Sequence, residues 1–253
     1  MKKITYLLLL AVVFVSCSKT PTPAPEKKTV IQPLGTGFTW EYSDSTFSKT
    51  GQLIKVGKSQ LGITGKITKQ FEGKSTDMYF WNWFDETTQQ YKNPKWLCNN
   101  EEGGFYYFGG MADSVLYIFE KTLSVKYPAK VGDTWEKINY GIVQSNSVTA
   151  FHKQSTSKIV CKSVDTLFQT GKGKIECYKY QLFNPYYNTS EVYVLYAPNI
   201  GFVGYVKKTN GVVVYKKSLV SYDLTKSSKT VGFKTTLTGD EDSGKVDFYG
   251  VTE

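Results

Sequence analysis

Hydrophobic and polar residues alternate along this chain in short runs, a pattern that predicts strands rather than helices. Phe38, Trp40 and Tyr42 alternate with Thr39, Glu41 and Ser43, the period of a half-buried strand. Met78, Phe80, Asn82 and Phe84 fall on one face of another strand, with Tyr79, Trp81 and Trp83 on the opposite face. Aromatic residues on both sides predict burial of both faces, or one face left open to a ligand. Further strand-like runs are Gln60–Gln70, Gly104–Phe108, Val115–Lys121 and Ser157–Leu167. Ile175–Phe183, Glu191–Ala197, Phe202–Lys208 and Val212–Asp223 follow. Asn210-Gly211 reads as a two-residue hairpin turn, because both residues tolerate positive φ. No stretch sustains a 3.6-residue period; Ala112–Leu123 comes nearest to a helix, and a strand is preferred there as well.

Two segments match without a gap. Pro33-x-x-x-Gly37-x-Thr39-Trp40-Glu41 recurs 95 residues later as Pro128-x-x-x-Gly132-x-Thr134-Trp135-Glu136, with five identities in nine positions. Gly104-Phe105 and Gly201-Phe202 form a weaker echo at a displacement of 97. The pattern predicts a diverged internal duplication, the alternative being a locally recurring turn-into-strand motif. In either case the glycine makes the turn and the tryptophan points inward to anchor the core. The expected fold class is all-β, an antiparallel sandwich or open curved barrel built from two diverged repeats. The halves are placed at residues 33–127 and 128–226, followed by a tail, 227–253, with a hairpin around Asp240–Gly244.

The amino terminus has a different pattern. Lys2 and Lys3 precede an apolar run from Ile4 to Val15, too short for the roughly 20 residues that span a bilayer but suited to a secretory leader. The run ends at Phe14-Val15-Ser16-Cys17, which resembles a bacterial lipobox. Phe14 stands where such boxes carry Leu, Val or Ile, and an ordinary secretory signal is the alternative. On the lipobox reading, residues 1–16 are removed and Cys17 becomes an acylated first residue. Each buried methylene of the acyl chains then contributes about 0.8 kcal/mol of membrane affinity. Residues 17–32 form the lipidated linker, whose Pro21, Pro23 and Pro25 favour an extended, partly stiff chain.

Charge narrows the partners. Without Lys2 and Lys3, 29 lysines face 22 acids, a net charge of +7, and the 253 residues contain no arginine. Arginine's planar fork is the usual reader of phosphates and base edges, so nucleic acid is not an expected partner. Of the other cysteines, Cys161 and Cys177 lie on two strand-like runs flanking a turn near Gly171-Lys172-Gly173. They form the candidate disulfide of an exported chain; the alternative is three buried thiols, Cys98 included.

Few residues suggest chemistry. His152 is the sole histidine, which leaves no multi-histidine zinc site, and no Gly-x-Ser-x-Gly elbow accompanies it. Glu41 and Glu136 are the carboxylates the repeat offers for glycoside hydrolysis, though their equivalence favours a shared structural role. Asp240–Gly244 only faintly resembles a calcium loop. No catalytic residue, metal or cofactor is expected. Tyr79, Trp81 and Trp83, or Tyr186 and Tyr187, are the candidates for stacking on a sugar ring or lining an apolar pocket.

Tyr127-Pro128-Ala129-Lys130-Val131-Gly132-Asp133-Thr134-Trp135 and Tyr196-Ala197-Pro198-Asn199-Ile200-Gly201-Phe202-Val203 resemble segments of exported lipoproteins of the Bacteroidota type. That resemblance implies a cell-envelope location and a β-rich body, with no activity or site residues to carry over. The expected function is a binding or accessory module held on the envelope, at the outer membrane, through its N-terminal lipid. Its expected partner is a glycan, a lipid or another envelope protein. A structural envelope component is the alternative, with a carboxylate-based hydrolase behind it.

Overall fold

A computed structural model describes residues 29–85, 90–91, 95–112, 115–145, 148–184 and 189–225. The leader, Cys17, most of the linker, Tyr186, Tyr187 and the tail with Asp240–Gly244 lie outside the described residues. The first half contains β1 (Thr39–Phe47), β2 (Leu53–Phe71), β3 (Lys74–Asp85), β4 (Gln90–Tyr91), β5 (Lys95–Glu101), β6 (Gly104–Ala112) and β7 (Val115–Lys126). The second contains β8 (Thr134–Ser145), β9 (Val148–Thr170), β10 (Gly173–Phe183), β11 (Ser190–Ala197), β12 (Gly201–Thr209) and β13 (Val212–Asp223). The Ala112–Leu123 run is the end of β6 and the start of β7, not a helix.

All strands join one antiparallel sheet in the order β7-β6-β5-β3-β2-β1-β13-β12-β11-β10-β9-β8, with β4 set aside on β3. The sheet curls into a nearly closed barrel, so of the two architectures expected the open barrel is the one adopted. Each half supplies six strands to this path, and five strands separate β1 from β8 in either direction. The first and last strands lie side by side, because β1 pairs with both β2 and β13. The barrel stays open where the halves meet in sequence, between β7 and β8.

The two tryptophan motifs share one turn geometry. Gly37 and Gly132 have φ of 90° and 92°, a region L side chains rarely enter. Gly37 N–H donates to Ile63 O at 2.8 Å, and Ile63 N–H returns a bond to Phe38 O at 2.9 Å. Gly132 N–H donates to Cys161 O and Cys161 N–H to Asp133 O, both at 2.9 Å. The same clamp therefore starts β1 and β8. Asn210 and Gly211 also take positive φ, and Thr209 faces Val212, the hairpin their sequence predicts.

Burial divides into two cores. Trp40, Tyr42, Leu61, Trp81, Phe105 and Tyr180 belong to the main, inward-facing core. Met78, Phe80, Leu97, Phe108 and Met111 make a second core on the other side of β3, so the two-sided aromatics of that strand reflect burial on both faces. β2 serves both cores because its register shifts between Ile63 and Gly65. Leu61 and Ile63 face the main core, while Ile67 and Phe71, of the same parity, pack on the second. A bulge does this by inserting one residue, which exchanges the faces beyond it. Two side chains cross the interior to fix β1 against the start of β12. Trp40 Nε1–H donates to Ile200 O at 2.6 Å, and Tyr42 O–H to Phe202 O at 2.9 Å.

Candidate functional site at the barrel seam

An unpaired strand edge is costly unless something covers it. At the seam, side chains take the place of a ladder. Ile138 N–H donates to Thr122 Oγ1 at 2.9 Å, and Phe119 stacks on Tyr140 with centroids 3.7 Å apart. Phe151 of β9 reaches across to Trp96 and Tyr117 at 5.3 and 5.2 Å. Because these groups do not fill the gap, a pocket of about 150 Å³ remains, with Trp96, Tyr107, Phe119, Tyr140, Thr122 and Lys137 in its wall.

Lys137 reaches this wall through strand parity. Trp135, Lys137 and Asn139 alternate with Glu136 and Ile138, and Trp135 packs on the main core. The Lys137 ammonium sits 5.1 Å from the centre of the Tyr107 ring and pairs with no acid among the described residues. Burial without a counter-ion brings its pKa down from 10.5 to about 8. Burial also raises the Tyr107 and Tyr140 phenols, which stay neutral beside it. Asn139 is occupied with Ser155 and Ser157 at 3.0 and 2.8 Å. Thr122 Oγ1 accepts from Ile138 and keeps its O–H to donate.

Tyr79, Trp81 and Trp83, the described aromatic candidates read from sequence, lie elsewhere. Trp81 is 4% exposed, with Trp40 stacked at 6.3 Å and Phe105 at 5.1 Å, so its faces are covered. Tyr79 and Trp83 pack against the same core. The Lys217 ammonium caps the Trp83 ring at 4.3 Å and forms an ion pair with Asp44 at 2.7 Å. Tyr215 O–H and Ser59 complete this internal cluster. Burial alone would raise the Asp44 carboxyl, but hydrogen bonds from Lys217, Ser59 and Tyr215 outweigh it and hold the pKa below the usual value. The strand thus supplies core rather than a ligand-stacking face.

Cys161 and Cys177 are buried free thiols, which corrects the candidate disulfide. The turn before Gly173 pairs that residue with Thr170 and so sets Cys177 opposite Thr166, while later register shifts bring Cys161 opposite Tyr180. The thiols hydrogen-bond to separate carbonyls, those of Ser163 and Thr166. Burial pushes Cys177 up to about 12 and raises Cys161 and Cys98 as well. All three are therefore expected to resist alkylation at pH 8 in the folded protein and to react fully in denaturant. Peptide mass spectrometry checks this cysteine by cysteine; rapid native labelling of Cys177 would contradict it.

His152 is an exposed residue of β9. Glu41 and Glu136 are exposed on strands with five others between them, and Glu41 accepts a hydrogen bond from Ser221 at 2.6 Å. They do not flank a common cleft. Among the described residues no three His, Cys, Asp or Glu side chains gather to hold a metal. Sequence reasoning passed over Lys137, although its signal was present: it stands two residues from an inward tryptophan, where alternation turns a lysine toward the core.

No protein-family model matches the chain, and no curated protein matches it. Solved structures that align with it include a candidate exported protein with a YmcC-like fold from Bacteroides fragilis. That alignment has 12% identity and a TM-score of 0.43, over 78% of this chain and 100% of the other. Another is a candidate lipoprotein from Parabacteroides distasonis, at 11% identity and a TM-score of 0.36, over 77% and 99%. Both come from Bacteroidales. Likenesses this distant carry no argument about fold or function.

Proposed function

We propose that this protein is a lipid-tethered binding module of the bacterial cell envelope, its barrel carried on Cys17 through a proline-rich linker and its ligand taken at the seam. The tether rests on the order of basic start, short apolar run, cysteine and prolines. The observation that carries the binding role is the seam pocket, a concavity of four aromatic side chains around an ammonium that no described acid answers. A purely structural envelope component is the competing reading, and the burial of Trp81 in the core favours it.

Two measurements separate these readings. Mass spectrometry of protein isolated from membranes is expected to find a chain starting at Cys17 and carrying acyl mass; an intact leader would remove the tether. A screen of glycans, lipids and small metabolites, read by tryptophan fluorescence and chemical-shift perturbation, is expected to find binders at the seam. A screen that perturbs no residue of the barrel would leave the structural reading in place.

A further inference from the structure

The geometry points to a ligand class: the seam pocket takes a small carboxylate with a flat apolar body, its charge meeting Lys137 and its body lying against Trp96 and Tyr107. This inference rests on the seam being a binding site and adds what binds there.

The argument begins with a missing charge. The 95-residue displacement that superposes Trp40 on Trp135 also sets Tyr42 against Lys137 and Asp44 against Asn139. Where β1 meets β13, the inward lysine, Lys217, is answered by Asp44. Where β7 meets β8, the inward lysine is Lys137, and the place of the acid is held by neutral Asn139, already engaged with two serines. A half-buried ammonium without an acid partner costs stability, and a carboxylate brought by a ligand would supply the absent counter-charge. Thr122 adds a hydroxyl donor beside it.

The rest of the wall limits the ligand's body. Trp96, Tyr107, Phe119 and Tyr140 offer ring faces and edges but no negative charge, so they suit a planar or short apolar group. At about 150 Å³ the pocket holds a body near the size of one phenyl ring rather than a lipid tail or an oligosaccharide. Tyr107 and Tyr140 are its titratable neighbours, and both remain neutral where Lys137 loses its proton. Carboxylate binding should therefore fade as pH rises through about 8.

Phenylacetate and its neutral isostere phenylacetamide make the test, titrated into the full chain and followed by Trp fluorescence and NMR. Phenylacetate is expected to bind about tenfold or more tighter than the amide. Lys137→Met should remove that advantage, so that the two probes bind alike. Its melting temperature should not fall, since a half-buried charge without an acid partner has been replaced by an apolar side chain, so a loss of binding is not a loss of fold. Asn139→Asp should also weaken phenylacetate, by giving Lys137 an internal partner. Equal binding of the two probes, unaffected by Lys137→Met, would overturn the carboxylate assignment and leave a neutral-ligand pocket. Failure of both probes would overturn the inference as well, and hits from the broader screen would then decide whether the binding role survives.

Discussion

Lys217→Met is expected to destabilise the barrel by about 3 kcal/mol, because it strands the Asp44 carboxylate among Tyr42, Trp83 and neighbouring strands. The two side chains are only 13% and 17% exposed, so water can do little to replace the lost cation. Asp44→Asn should cost a comparable amount by leaving Lys217 over the Trp83 ring without its acid. The double variant should recover part of the loss, since neither charge remains. Urea denaturation of all four proteins gives the coupling directly. Strictly additive losses would mean that the pair is not an energetic unit. The pH dependence has a definite sign. Asp44 titrates below its ordinary 3.8, so the stability it contributes is complete above that value and lost as pH falls through the lowered one. Lys217→Met should therefore flatten the acid limb of the stability profile.

Trp40→Ala is expected to cost about 4 kcal/mol, against about 2 kcal/mol for Trp135→Ala, although the two residues occupy equivalent places in the repeated motif. Trp40 has no exposed surface, stacks on Trp81 and donates its indole N–H to Ile200 O. Trp135 is half-buried, packs edge-on against Tyr180, and its buried Nε1 finds no hydrogen-bond partner. Removing it sacrifices less packing and relieves an unsatisfied donor. Chemical denaturation of the two variants checks the order, and a larger loss at Trp135 would contradict this account of the core.

The strands were legible in the sequence because alternation and turn chemistry are local. Phe38–Ser43 lies within the turn and strand it predicts, and Asn210-Gly211 makes its hairpin. The equivalence of the two tryptophan motifs was also legible, down to the glycine that each turn needs. What escaped is set by distant pairings. The bulge between Ile63 and Gly65 that gives β2 two cores leaves no mark in its alternation. The ligand-stacking role given to Trp81 failed for the same reason: period two separates one face from the other but does not say which is covered. Cys161 and Cys177 looked bridgeable because the turn between them was correctly placed, yet register rather than proximity in sequence decides who faces whom. The inward turn of Lys137 was legible from its spacing to Trp135, but that it lines a seam follows only from the curl of the sheet, which makes β8 an edge.

With β1 held between β2 and β13, assembly becomes a whole-chain event. Every other pair of neighbours in the sheet is joined by a connection of nine residues or fewer, so such pieces can zip locally. β1 alone must wait for a strand that starts at Val212, so a nascent chain stopped earlier keeps one bare, sticky edge near its front. Closing so long a loop is slow, and the folding polypeptide spends that delay as an open ribbon rather than a finished barrel.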